Sequence, residues 1–203
     1  MLILWSAFSI AQNPIRFQNI TVNDGLSMGT ITGFAKDQNG FIWIATAEGL
    51  HRYDGKKYKI LKHTEGNDNS LTDSYITSVL ALQDKLYIGN NLGQLDILDI
   101  NTFSISSIDF KLADSTYDNP IEQLIYYQNQ IIIDTDGGGL WSYNPEGHQL
   151  RQVYIEDLGT QEIEQLLVNG KNLMIVTSNS VIQTDFNSSK VLLKKELSLN
   201  SIA

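Results

Sequence analysis

The chain has 203 residues, of which 42% are hydrophobic and 18% are charged, a composition that excludes a disordered tail and supports a folded core. Its formal net charge is −9, and its lysines and arginines are scattered singly or in short pairs, which argues against nucleic acid as a partner. It has no cysteine, so disulfides, thiolate metal sites and thiol catalysis are excluded. His51, His63 and His148 are left as the candidate soft metal ligands or bases.

The first residues resemble the end of an export signal. Residues 2–10 form an apolar run, and small residues precede a possible cleavage point before Gln12. No lysine or arginine precedes Arg16, and the run is much shorter than the roughly 20 residues that span a bilayer. We predict a signal-peptide remnant at residues 1–11, with an upstream start as the favoured explanation and a plain hydrophobic N-terminus as the alternative.

A repeat runs along the rest of the chain. Its mark is an Ile-x-x-apolar core, which recurs at spacings of 45, 45 and 42 residues. The cores are Ile31 to Phe34, Ile76 to Val79, Ile121 to Leu124 and Ile163 to Leu166. A period of this length is typical of repeat architectures and decides the fold before any local pattern does.

Each core is predicted to be the first of four short antiparallel strands. A polar turn follows it, then a β-branched and aromatic run, an alternating run and a weaker outer strand. Second strands are predicted at 41–46, 86–89, 131–135 and 173–177, third strands at 49–53, 95–98, 140–143 and 181–184, and fourth strands at 57–61, 104–108, 149–154 and 191–195. Near the end of each second strand we expect a small residue where backbones approach closely, namely Ala45, Gly89, Thr135 and Thr177.

Four antiparallel strands in each unit of about 44 residues predict an all-β fold, a β-propeller built as an incomplete arc of about four blades. No sustained helical period is present, so helices should be nearly absent. The expected units are about 17–63, 71–109, 117–154 and 158–195, within a partial propeller at 12–203. Residues 197–203 repeat the lead-in of the earlier units, so we expect a fifth unit to begin there in a longer protein.

The first unit resembles the two-component regulator propeller family. The resemblance is carried by the opening Asp24-Gly25-Leu26-Ser27, by the D-x-x-G-x-x-W-x-x-T-x-x-G-L pattern from Asp37 to Leu50, and by the closing Arg52-Tyr53-Asp54-Gly55. Later units depart from this pattern, with Tyr87 in place of the tryptophan. The resemblance covers roughly residues 17 to 203.

This resemblance implies a periplasmic sensor region that binds a small molecule or an oligosaccharide. In full-length members it implies further blades, a span of the inner membrane and a cytoplasmic histidine kinase or diguanylate cyclase, with a homodimer as an open option. The repeat motif of the family is structural, so it implies no ligand-binding, catalytic, metal or cofactor residues here.

Three polar segments carry residues of the types that bind ions or sugars, and each has a loop or turn as its alternative interpretation. Asp37 to Gly40 begins like a calcium loop, but Phe41 to Trp43 replace the ligands that should follow, so a hairpin turn is favoured. Asp134 to Gly139 offers two carboxylates and three glycines to a cation, yet an inter-strand turn is favoured. Glu65 to Ser70 is expected to be a linker between blades rather than an ion or sugar site.

The remaining candidates concern sugars and catalysis. Five aromatic residues are suited to stack on a glycan, but their repeat positions favour core packing: Trp43, Tyr53, Tyr87, Trp141 and Tyr143. Glu162 and Glu164 lie on one face of a strand and are assigned to surface solubility. No nucleophile and base, or pair of acid and base carboxylates, stands out. We expect a non-catalytic sensing segment, with a propeller polysaccharide lyase or glycosidase and a protein-interaction scaffold as the alternatives.

Overall fold

The protein was studied as a computed structural model, which describes residues 21–109, 119–155, 157–159, 161–185 and 190–197. In these residues the chain forms four separate sheets, each with four antiparallel strands. The helical structure of the described part is one 3-10 turn at Val22–Asp24, which Thr21 caps. Within the same residues, no helix has the length and apolar character needed to cross a membrane.

Each sheet is a meander in which the strands follow one another in chain order. The first contains β1 (Ile31–Lys36), β2 (Ile42–Thr46), β3 (Gly49–Tyr53) and β4 (Tyr58–Leu61). The second contains β5 (Ile76–Leu82), β6 (Lys85–Asn90), β7 (Gln94–Asp99) and β8 (Ile105–Asp109). The third contains β9 (Ile121–Tyr127), β10 (Gln130–Thr135), β11 (Gly139–Asn144) and β12 (Gln149–Val153). The fourth contains β13 (Ile163–Asn169), β14 (Asn172–Thr177), β15 (Ser180–Asp185) and β16 (Lys190–Glu196).

The turn between the third and fourth strands is set by one acidic or amide side chain. Asp54 accepts hydrogen bonds from the backbone N–H groups of Lys56 and Lys57, at 2.8 and 2.7 Å. Asp99 and Asn144 hold the same turn in the next two sheets, each accepting two backbone N–H groups. These bonds satisfy backbone N–H groups that have no partner in strand pairing. In these three sheets, the position of the Asp or Asn therefore determines where the chain turns between the third and fourth strands.

All four sheets share one register at the start of their first strand. The leading isoleucine pairs with the last residue of the second strand, and a β-bulge follows at once, as in Ile31 with Thr46 and Ile76 with Asn90. The third and fourth sheets repeat both features. Equivalent positions can therefore be compared residue by residue across the four sheets.

The first strands lie innermost, and neighbouring sheets pack face to face as the blades of a propeller do. β1 contacts β5, β5 contacts β9, and β9 contacts β13 more sparsely. Three hydrophobic clusters fill the seams between successive sheets. In the seam between the first and second sheets, Trp43 and Leu50 pack with Ile76, Leu86 and Ile88, all of them fully buried.

The all-β fold and the propeller architecture predicted from the repeat are confirmed. The first strands begin at the four predicted isoleucines and extend two or three residues beyond the predicted cores. The ends of the other strands differ from their predicted positions by at most one residue. The outer bounds of the units stay predictions. The signal-peptide remnant at 1–11 and nearly all of the fifth unit at 197–203 lie outside the described residues.

The predicted row of small residues was wrong in its second half. Ala45 and Gly89 hold equivalent positions, because each pairs with the residue two places after the leading isoleucine of its sheet, Gly33 and Ser78. In the third and fourth sheets, the residues at this position are Asp134 and Val176. Thr135 and Thr177 are the next residues along, and they pair with the leading isoleucines. Thr135 and Thr177 are the last residues of β10 and β14, whereas Ala45 and Gly89 are each followed by one more residue of their strands, so the prediction compared positions that are not equivalent.

Candidate functional site: a cleft between the third and fourth sheets

Two of the seams between sheets are closed by hydroxyl side chains. Thr32 donates from Oγ1 to the backbone carbonyl of Ile76, at 2.7 Å. Thr77, at the equivalent position of the second sheet, donates to the carbonyl of Ile121 at 2.6 Å. Ile76 and Ile121 are both completely buried under these contacts. Each threonine thus ties its own sheet to the first residue of the next.

A close backbone approach completes the closed seams. A Cβ atom added at Gly89 would lie 2.6 Å from Cγ2 of Ile121, so no larger residue fits there without a shift. Ala45 fills the same position in the first sheet and is also fully buried. Small residues at this row let the leading isoleucine of the next sheet pack against the strand.

The third sheet departs from this pattern at both positions. Glu122 stands where Thr32 and Thr77 stand, one residue after the leading isoleucine. Asp134 stands where Ala45 and Gly89 stand. An ionised carboxylate accepts hydrogen bonds and cannot donate one, so Glu122 in that form cannot make the bond to the next sheet.

A cleft of about 940 Å³ opens where these two replacements meet the fourth sheet. Its walls include Glu122, Asp134 and the turn after β10 on one side, and the start of β13 with the residues before it on the other. Ile163, the leading isoleucine of β13, is only partly buried, whereas Ile76 and Ile121 are sealed. The open seam is therefore a local property of this pair of sheets.

Gln123 bridges the cleft. Its Oε1 accepts the backbone N–H of Leu166 at 2.8 Å, and its Nε2 lies 3.2 Å from the backbone carbonyl of Glu164. The same Nε2 donates to Oδ2 of Asp134 at 3.2 Å. One amide thus replaces the threonine of the closed seams and joins the buried carboxylate to the fourth sheet. At the opposite end of the seam, the hydroxyl of Tyr127 donates to the carbonyl of Lys171.

The cleft is acidic. Asp134 is 4% exposed, and burial, followed by repulsion from Glu122, raises the pKa of its carboxyl to about 7. Glu122 is exposed, and partial desolvation raises the pKa of its carboxyl, with further repulsion from Asp136 and Glu162. The described lining includes no lysine, arginine or histidine to offset these charges. Both carboxyls therefore hold their protons more tightly than exposed carboxyls do.

The glycine-rich turn from Asp136 to Gly139 forms one rim of the cleft. Gly137 and Gly139 have φ of 68° and 79°, conformations that side chains with a Cβ rarely adopt. The side chain of Asn119 donates to the carbonyl of Asp136, and Trp141 donates from Nε1 to the carbonyl of Gly138. The favoured interpretation of this segment as an inter-strand turn agrees with these bonds, and the turn also places Asp136 beside Glu122.

The lining of the cleft offers hydrogen-bond donors and acceptors. Its lining combines carboxylate oxygens with the amides of Gln123, Gln152 and Gln161, and groups of this kind bind hydroxyls in both directions. Across the described ranges, no three His, Asp or Glu side chains are grouped so that they could hold a metal ion.

The three histidines predicted as candidates do not come together. His51 is buried in β3, where its Nε2 accepts the backbone N–H of Ser27 at 2.9 Å. His63 follows β4, and its ring Nδ1 lies 2.9 Å from the carbonyl of Leu71. His148 lies in the turn before β12, 2.9 Å from the hydroxyl of Tyr143. Each ring has its own hydrogen-bond partner in a different part of the fold.

The carboxylate of Asp37 is engaged within its own turn. Oδ1 accepts the backbone N–H groups of Asn39 and Phe41, and Oδ2 accepts Nε1–H of the buried Trp43 at 2.8 Å. These bonds agree with the hairpin interpretation and explain why the D-x-x-G-x-x-W pattern joins an aspartate to a tryptophan.

The linker at Glu65 to Ser70 is also held by a side chain, because Asn69 bonds to both sides of the turn before β8.

Core packing is confirmed for three of the five aromatic residues, and the other two are half-buried. Trp43, Tyr87 and Tyr143 are at most 2% exposed. Tyr53 stacks on Tyr58 with ring centroids 4.8 Å apart, and Trp141 packs against the cluster between the second and third sheets. None of the three buried rings offers a face to a glycan.

Sequence reasoning missed Glu122 and singled out Asp134 for its loop rather than for its seam. The signal was present, because counting one residue on from each leading isoleucine gives Thr32, Thr77 and then Glu122. Glu162 and Glu164, assigned to surface solubility, line the same cleft from the fourth sheet.

Comparison with known families finds a match to part of the first sheet. The two component regulator propeller profile matches residues 25–48, which hold β1, β2 and the turn between them. A histidine kinase from Formosa agariphila, named P4, is 32% identical over 74 residues, which is 34% of this chain and 5% of that protein.

Solved structures match nearly the whole chain. Two are extracellular domains from B. thetaiotaomicron, of the hybrid two component systems BT3049 and BT4673. The TM-scores are 0.75 and 0.68 at 17% identity, over 90% and 88% of this chain. BamB from Moraxella catarrhalis matches with a TM-score of 0.54 at 18% identity, over 83% of this chain and 54% of that one. The chain spans about a quarter of each of the two extracellular domains, 26% and 25%. The chain therefore has a β-propeller fold, and residues 25–48 of its first sheet match the two component regulator propeller repeat.

Proposed function

We propose that this chain is a non-catalytic, ligand-sensing part of an exported β-propeller, and that it belongs to a signal-transduction protein whose output is a histidine kinase. The repeat in the first blade and the similarity to a histidine kinase support the signalling context. The structural similarity to extracellular domains of hybrid two component systems supports export, with the periplasm as the compartment. A diguanylate cyclase output, which the family resemblance also implied, has no support from the relatives reported above.

The observation that carries the proposal is the cleft between the third and fourth sheets. Of the three seams, this is the one in which carboxylates replace the repeat residues that close the other two. A site built into a seam couples binding to the arrangement of blades, because a ligand that contacts both walls favours one spacing of the two sheets. We expect the ligand to be a small oligosaccharide, since amides and carboxylates together match an array of hydroxyls.

A propeller glycosidase is the second candidate, and one observation favours it. Asp134 and Glu122 are neighbouring carboxyls with raised pKa, and the pKa of Asp134 is raised to about 7. A carboxyl that keeps its proton near neutral pH beside an ionised one is what acid-assisted glycoside cleavage requires. Asp134 is almost fully buried and already bonded to Gln123, which favours a structural role.

The test is calorimetric titration of the chain with neutral oligosaccharides, from disaccharides to hexasaccharides, followed by chromatography of the mixtures. We expect binding of at least one saccharide, and a loss of about tenfold in affinity, or about 1.4 kcal/mol, in the double variant E162A/E164A. E48A, which removes an exposed glutamate from the turn between β2 and β3 of the first sheet, is the control and should bind normally.

Binding that E162A/E164A leaves intact would remove the cleft from the proposal, and no binding across the panel would contradict saccharide sensing. Cleavage of the saccharide that is lost in D134N would establish the glycosidase instead. In the full-length protein, the bound saccharide should change autophosphorylation, and an unchanged rate would contradict the signalling role.

A further inference from the structure

The three seams differ in what closes them. The first two use a hydroxyl that donates to the carbonyl of the leading isoleucine of the next sheet. In the third, the residue at that position is Glu122, which has a proton to donate only in its neutral form. The bond that closes the other seams is thus available to this one only after proton uptake.

Asp134 adds a second group of the same kind. Its counterparts Ala45 and Gly89 carry no charge and allow tight packing, whereas Asp134 points a carboxyl toward the bridging amide of Gln123. When Asp134 is neutral, the row is uncharged as in the other seams. When it is ionised, it brings a negative charge into a nearly closed space.

Every other charged group that faces these two carboxyls in the described lining is acidic. Asp136 lies in the turn after β10, Glu162 precedes β13, and Glu164 lies within it. Gln152 of β12 and Gln161 face the cleft as neutral amides. Ionisation of Glu122 and Asp134 therefore adds repulsion between the two sheets, and no described cation in the lining relieves it.

We propose that protons control the width of this seam: it narrows when Asp134 and Glu122 are neutral and widens when both are ionised. In the narrow state, the hydroxyl of neutral Glu122 donates to the fourth sheet as Thr32 and Thr77 donate to theirs. In the wide state that donor is gone, and five carboxylates line the gap. Gln123 stays bonded to β13 in both states, so the change of width is confined to the end of the seam at Glu122 and Ile163.

The raised pKa of both carboxyls supports a transition near neutral pH rather than at strongly acidic pH. The seam would then respond to the pH changes that an exported protein meets. This inference goes beyond the proposed function and does not depend on it, because it concerns the spacing of the two sheets and not a ligand. A failure to bind saccharides leaves it standing, and its own failure leaves saccharide binding untouched.

The repeat supplies internal controls for the test. Ile76, Ile121 and Ile163 hold the same position in three successive sheets, so their δ1 methyl groups, labelled with ¹³C, report on three seams in one spectrum. A soluble gadolinium chelate broadens methyl signals according to their exposure. We expect broadening of the Ile163 methyl to rise about twofold or more between about pH 5.5 and about pH 8.5, with a single midpoint near pH 7. The other two methyls should not change.

Two variants complete the test. The double variant E122Q/D134N removes both titrating carboxyls and keeps a donor at position 122 and an acceptor for Gln123, so it should hold the Ile163 methyl in its low-pH exposure throughout the range. E122T restores the hydroxyl of the other seams and should reduce exposure at high pH. E48Q removes a carboxylate far from the seam and should behave as the unmodified chain does. Equal broadening of the Ile163 methyl at both pH values, or a pH response that persists in E122Q/D134N, would overturn the proposal.

Discussion

The buried carboxyl of Asp134 should make the stability of the protein depend on pH in a way that one substitution removes. Its pKa is 3.8 in an exposed setting and about 7 in the folded chain, chiefly because of burial. Between these values the unfolded chain has released the proton and the folded chain has not. The folded state therefore binds more protons, and the free energy of unfolding falls as pH rises.

The magnitude follows from the size of the shift. About 3 pKa units at about 1.4 kcal/mol each give a loss of about 4 kcal/mol between about pH 4 and pH 7. This is an upper limit, because water in the cleft can solvate the ionised carboxylate. Set against a usual total stability of about 5 to 15 kcal/mol, it is a large effect.

D134N cannot ionise and keeps an oxygen for Gln123. Urea denaturation of both proteins at a series of pH values gives the difference in unfolding free energy, in which the other carboxyls cancel. We expect the two proteins to be equally stable near pH 4, within about 1 kcal/mol, and D134N to be the more stable by up to about 4 kcal/mol above pH 7. Stability curves that stay parallel over the whole range would refute the reasoning.

Three further predictions concern the closed seams and the turns. G89A should lose about 1 to 3 kcal/mol in urea denaturation, because the new Cβ meets Ile121, and an unchanged midpoint would contradict the close approach. D37A should lose about 2 to 3 kcal/mol in the same assay, because it leaves two backbone N–H groups and the buried Trp43 Nε1–H without an acceptor. For His51, burial is the main cause of a pKa below the usual 6.5, so its stabilising bond is complete above that value and is lost as pH falls through the folded pKa. H51N cannot take up a proton and should show no such loss; proton NMR of the ring together with acid unfolding of both proteins checks this, and identical acid profiles would contradict it.

The propeller fold could be predicted from the sequence because its evidence is repeated. Four isoleucines at regular spacing, each followed by a turn and three strand-like runs, leave few other arrangements. Asp37 and Trp43 show the same consistency at a local scale, because the spacing of the motif is the spacing of a hydrogen bond.

The cleft could not be predicted in the same way. A repeat pattern points to positions that agree, whereas the cleft arises at two positions that disagree, Glu122 and Asp134. Those two residues are twelve apart in sequence and become a site only when the fourth sheet covers them. The row that contains Asp134 was assigned one residue too far along, because local hydrophobicity does not show where a β-bulge shifts the register.

We infer that Glu122 and Asp134 hold open a seam that the repeat would otherwise close. The most direct measurement is the crystal structure of the double variant E122T/D134A, which restores the residue types of the first seam. We expect the new threonine hydroxyl to donate to the carbonyl of Ile163, Ile163 to be completely buried as Ile76 and Ile121 are, and the cleft to be lost. A cleft of unchanged width, with Ile163 still partly exposed, would contradict it.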